Sequence, residues 1–157
     1  MKRSILAFIV MTFSPPAVSQ IVGEPIIASG TCDQKSGVMV DDGETSQFSC
    51  DTVVITRSQR GTILIQFTDK HGDDGRILGF AGTIEGKQGF GADAAQILGV
   101  ERVYLGAGDP VIASAGSCIM NWSGLQRTGG RLESVVCGGR GKAEGSDFKA
   151  LVILEAR

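Results

Sequence analysis

The sequence predicts an all-β fold, a small sandwich or barrel of about eight or nine short strands, built from two related disulfide-bonded halves. Three observations lead to it. The apolar runs are short, rich in Val, Ile and Thr, and separated by turn residues. Glycine makes up 23 of the 157 residues while aromatics are only 6%, a balance that suits tight turns and bulges over long helices. Four cysteines, Cys32, Cys50, Cys118 and Cys137, sit within an internal repeat.

In chain order the candidate strands are Ile26–Cys32, Ser36–Val40, Ser46–Thr56, Thr62–Asp69, Arg76–Thr83, Val100–Leu105, Val111–Ile119, Leu132–Cys137 and Phe148–Glu155. Asp41-Asp42-Gly43-Glu44 reads as a hairpin turn, because Asp-Gly tolerates positive φ. His71-Gly72-Asp73-Asp74-Gly75 and Thr128-Gly129-Gly130 read as two more turns. Only Ala92–Leu98, with three alanines and a leucine, has the composition of a short helix.

The repeat links Glu24-Pro25-Ile26-Ile27-Ala28-Ser29-Gly30-Thr31-Cys32 with Asp109-Pro110-Val111-Ile112-Ala113-Ser114-Ala115-Gly116-Ser117-Cys118. Acid, Pro, two β-branched residues, Ala and Ser recur in order, then Gly, a hydroxyl residue and Cys. Ala115 is the one inserted residue. The next cysteine, Cys50 or Cys137, follows at spacings that differ by one residue. The two units span about residues 24–68 and 109–157, with segment 69–108 between them. Related units should close related bonds, so the expected pairs are Cys32–Cys50 and Cys118–Cys137. Pairing across the repeats, Cys32–Cys118 and Cys50–Cys137, is the rival. A zinc site would want a close Cys pair, which the spacing lacks.

The N-terminus has the three zones of a secretory signal. Lys2 and Arg3 precede an apolar run from Ile5 to Phe13; Pro15-Pro16 and the small residues Ala17 and Ser19 follow it. Residues 1–19 are therefore expected to be removed, leaving 20–157 as a single β domain. The apolar run is far shorter than the ~20 residues of a membrane helix, so no membrane span is expected. An even cysteine count in an exported chain points to disulfides. The formal net charge of −2 becomes more negative once Lys2 and Arg3 are lost, which argues against non-specific nucleic-acid binding.

Few residues suggest chemistry. His71 is the only histidine, which excludes a two-histidine metal site. Its loop also holds Asp69, Asp73 and Asp74. These carboxylates have the oxygen chemistry calcium prefers, but the pattern departs from the helix–loop–helix type. A solvated turn is the expected reading, and the same holds for Asp41, Asp42 and Glu44. Gly86-Lys87-Gln88-Gly89-Phe90-Gly91 lacks the spacing and βαβ setting of a dinucleotide fingerprint and reads as a flexible loop. Arg127, Arg131, Arg140 and Lys142 cluster in a Gly-rich stretch and are weak candidates for contact with an anion or surface glycan. Trp122, the single tryptophan, is a core residue or a contact residue.

The layout Ala28-Ser29-Gly30-Thr31-Cys32, Phe48-Ser49-Cys50, then Gly116-Ser117-Cys118 with Cys137, resembles small exported proteobacterial proteins with paired cysteines and no assigned activity. The resemblance implies export and a disulfide-bonded β domain, and it carries no catalytic residues.

The expected function is therefore a binding or interaction domain, periplasmic or secreted, with a protein or glycan partner and no cofactor, metal or nucleic acid. An inhibitor of a secreted hydrolase is one concrete form. The alternative is a small extracytoplasmic hydrolase using the His71 loop, which would need an oriented nucleophile and a pocket.

Overall fold

The structure, a computed structural model, describes residues 23–69, 76–88, 94–124 and 130–157. Among these residues there are ten strands and no helix: β1 (Ile26–Cys32), β2 (Gly37–Val40), β3 (Thr45–Gln47), β4 (Thr52–Arg57), β5 (Ile63–Thr68), β6 (Ile77–Gln88), β7 (Ala94–Leu105), β8 (Val111–Ser123), β9 (Arg131–Ala143) and β10 (Ser146–Ala156). All pair antiparallel in one sheet, and β1 also pairs β10, so the sheet returns on itself.

The closure is irregular for an identifiable reason. β1 and β2 lie end to end along β10: Gly30–Cys32 pair with Leu154–Ala156, and Gly37–Val40 pair with Phe148–Leu151. On the other side β3 pairs β2, and β4 pairs β1. Both breaks fall at the Cys32–Cys50 disulfide, whose Cα atoms are 5.1 Å apart. Ser36, fully buried, bridges the first break: its hydroxyl accepts from the Ile153 amide at 3.1 Å. The Asp33 amide donates to the Ile153 carbonyl at 2.8 Å. The expected single strand Ser46–Thr56 is thus two strands, separated by Phe48–Asp51, where the neighbour changes from β2 to β1 and the Cys32 amide donates to the Cys50 carbonyl at 3.0 Å.

One face of the sheet forms the core. Along β10, Phe148, Ala150, Val152 and Leu154 are buried and alternate with outward Lys149, Leu151, Ile153 and Glu155, the period-two signature of a strand. Val53, Ile55, Ile65, Phe67, Phe80, Leu98, Val103, Met120 and Val135 join them in one cluster. Phe67 and Phe80 meet edge to face at 6.1 Å, a favourable aromatic geometry. Outward positions carry exposed Glu101, Arg102, Arg140, Lys142, Lys149 and Glu155. Exposed Ile26, Ile119 and Leu151 lie among these charged residues on the outward side. Among the described residues no helix is long and apolar enough to cross a membrane.

The helix expected at Ala92–Leu98 is instead the start of β7, which is described from Ala94. Ala95 to Leu98 pair with Gln88 to Ile84 on one side and with Asn121 to Cys118 on the other. Two ladders and the complete burial of Leu98 outweigh the small local preference of alanine for helix. β6 to β10 are also longer than expected, 11 to 13 residues each. Gly86, Lys87 and Gln88 belong to β6 rather than to a loop, and Gly138-Gly139-Arg140-Gly141 to β9.

A hairpin turn joins β2 and β3 as expected, but one residue earlier than Asp41–Glu44: it spans Val40–Gly43, with positive φ at Asp41 (49°) and Asp42 (53°) rather than at Gly43. The Gly43 amide donates to the Val40 carbonyl at 2.9 Å, closing a turn of the I′ kind that suits strand twist. Asp41 tolerates the conformation because its carboxylate accepts from the Asp147 amide at 2.8 Å.

The repeated motif lies on β1 and β8. Ala28, Gly30 and Cys32 face inward, as do Ala113, Gly116 and Cys118; Ile27 and Ile112 face out and are strongly exposed, 61% and 77%. The inserted Ala115 explains how the faces stay matched. The β8–β9 register shifts between Ala113 and Ala115. A bulge absorbs the extra residue and returns Gly116 and Cys118 to the inner face. In the second half the two cysteines lie on neighbouring strands, β8 and β9; in the first, Cys32 ends β1 and Cys50 lies in the segment just before its neighbour β4. Both expected disulfides, Cys32–Cys50 and Cys118–Cys137, are present.

Candidate binding site at the Trp122 end

β8 places Cys118, Met120 and Trp122 on the inner face, successively toward one end of the sheet. Trp122 pairs with Ala94 of β7 and with Leu132 of β9. The β8–β9 register shifts between Asn121 and Trp122, so these consecutive residues border the same recess. That recess, about 540 Å³, is lined by Gln88, Ala94, Ala95, Asn121, Trp122, Ser123 and Glu133. A second, about 310 Å³, shares Trp122 and adds Glu24, Thr56, Arg57, Gln96 and Met120. Both volumes fall within or near the range of small-molecule sites, about 300–1,000 Å³.

Trp122 is 7% exposed. Its indole N–H is buried and has no hydrogen-bond partner among the described residues. Indole offers one donor and no acceptor, so only an acceptor can satisfy it.

Around it the polar groups are ordered. The Asn121 amide nitrogen donates to the Ser134 hydroxyl at 2.8 Å. Ser123 donates to Glu133 at 2.5 Å, and Arg131 donates to both oxygens of the same carboxylate, at 3.0 and 3.2 Å. The Ser123 hydrogen bond first, then Arg131, hold the Glu133 carboxyl below its ordinary range, so it is ionised at neutral pH.

The other sequence candidates are scattered. Asp69 accepts from the Ser49 hydroxyl at 3.2 Å beside the Cys50 segment. His71, Asp73, Asp74 and Arg127 lie outside the described residues. Arg131 and Arg140 are at opposite ends of β9, about 30 Å apart at the rise of a strand. Their closeness in sequence is therefore not closeness in space. Arg140 borders a different recess, with Asp42, Lys142, Asp147 and Lys149. Lys149 and Lys142 have carboxylate partners there, Asp42 at 2.5 Å and Asp147 at 3.7 Å, so that recess is mixed in charge. Among the described residues no three His, Cys, Asp or Glu side chains converge as a metal site would require.

Trp122 is the residue whose role sequence reasoning left open. The signal available was its uniqueness. Its place in the lining of two recesses depends on β7 and β9 neighbours remote in sequence. Comparison with known proteins finds no matching family model, no similar curated protein and no similar solved structure.

Proposed function

We propose that this chain is an exported, non-enzymatic binding domain that works in the envelope or outside the cell, with a protein or glycan as its partner. The observation that supports it best is the frame: one sheet that returns on itself, apolar inside, with a disulfide in each half. Such a frame fixes the positions of its strands, and groups presented on fixed strands lower the ordering cost of binding. The signal-like N-terminus and two disulfides fit an oxidising compartment. An inhibitor of a secreted hydrolase is one form this role takes.

The test is affinity capture with the mature, oxidised protein from envelope and culture fractions, followed by mass spectrometry and glycan analysis. A saturable partner lost on reduction of the disulfides supports the proposal. Turnover of ester, glycoside or peptide reporters that His71→Ala abolishes, with folding intact, would overturn it in favour of a hydrolase.

A further inference from the structure

We infer that the Trp122 end is a saccharide-binding site; the inference rests on the binding-domain reading and names its ligand class. The unmatched indole N–H is the first ground. A buried donor without a partner is costly to keep in a folded protein, and the tryptophan that carries it lines both recesses. A ligand acceptor that reaches the N–H, with a small shift of the indole, would relieve that cost.

The lining narrows the chemistry. Gln88, Asn121 and Gln96 carry amides that both donate and accept; Ser123 and Glu133 add a hydroxyl and an ionised carboxylate. Ser123 and Arg131 occupy three of the roughly four lone-pair sites of Glu133, so room for one more donor remains. A sugar hydroxyl donates to a carboxylate and accepts from an indole N–H or an amide. A sugar ring also presents a C–H face that packs on an indole or on the small apolar walls of Ala94 and Ala95. The charges are balanced, Glu24 with Arg57 at the second recess and Glu133 with Arg131 at the first, which suits a neutral ligand. A peptide added as a strand would need an open edge, and Trp122 is paired on both sides.

The chain reports on its own site, because Trp122 is its single tryptophan. The mature, oxidised protein is titrated with N-acetylglucosamine tetramer and with maltotetraose, following tryptophan emission and calorimetric heat. Saturable binding of at least one, with a change in Trp122 emission, is expected. Trp122→Phe, which keeps an aromatic ring without the N–H, should weaken binding about tenfold by calorimetry, and Asn121→Ala should weaken it without shifting the thermal midpoint of unfolding. Absence of heat and emission change with both oligosaccharides overturns the inference. So does binding that Trp122→Phe and Asn121→Ala, both folded, leave unchanged. In either case a partner recovered by affinity capture would leave the binding-domain reading standing, so the two failures are distinguishable.

Discussion

Cys118 and Cys137 face each other directly across the β8–β9 ladder, with Cα atoms 4.0 Å apart and both residues fully buried. Cys32 and Cys50 serve a different place: they join the two points where the first strands are interrupted, and Cys32 is partly exposed. Reductant should therefore reach Cys32–Cys50 first. Limited dithiothreitol treatment, alkylation and peptide mapping should label Cys32 and Cys50 well before Cys118 and Cys137. Labelling in the opposite order would contradict the burial. Replacing both Cys32 and Cys50 by Ala should lower stability by about 3 kcal/mol in the chain-entropy account, read from urea unfolding.

Gly82 lies at a register irregularity of the β6–β7 ladder. A Cβ at this position would collide with the backbone carbonyl oxygen of Gly99 on the neighbouring strand, and backbone cannot swing aside as a flexible side chain can. Gly82→Ala should cost about 1–3 kcal/mol by overpacking. Gly108→Ala, where a Cβ meets nothing within 4 Å, should stay within about 0.5 kcal/mol. Equal midpoints for the two variants in denaturant would refute the close approach.

The Lys149 hydrogen bond, reinforced by its charge, lowers the Asp42 carboxyl below its ordinary value of 3.8. A carboxylate depressed in the folded state contributes stability that is present above its unfolded value and lost as pH falls through the folded one. Unfolding followed between pH 6 and pH 2 should show this loss beginning below about pH 4. The pair is exposed and its effect small. Lys149→Met should flatten the acid limb of the stability curve and blunt its salt dependence; an unchanged limb would remove Asp42 from the account.

Removal of the signal-like segment should leave a mature protein that begins at Gln20, after the small residues Ala17 and Ser19. N-terminal sequencing of protein from the envelope or medium checks this. Recovery of a chain that still starts at Met1 in the cytoplasm would remove the basis for the exported role.

Much of this architecture was legible in the residues. The alternation Phe148-Lys149-Ala150-Leu151-Val152 announces a half-buried strand, and it is one. The repeated Ala-Ser-Gly-Thr-Cys and Ala-Ser-Ala-Gly-Ser-Cys motifs indicated equivalent strands and the disulfide within each half. The helix expected over Ala92–Leu98 shows the limit: alanine content is a local quantity, whereas the partners that make this segment a strand come from β6 and β8. The basic stretch from Arg127 to Lys142 shows the same limit, since an extended chain carries Arg131 and Arg140 to opposite ends of β9.

The sequence by itself determined what depends on neighbours along the chain: strand alternation, a tight turn after Val40, and the cysteine pairing implied by the repeat. Only the tertiary structure decided that β1 meets β10 to close the sheet, that Ala115 is absorbed as a bulge, and that Trp122 lines two recesses with its N–H unmatched. The physical reason is that side-chain periodicity is written in adjacent residues. Ladder register, closure and the fate of a buried donor are settled by partners up to a hundred or more positions away, such as Ser36 and Ile153, 117 apart.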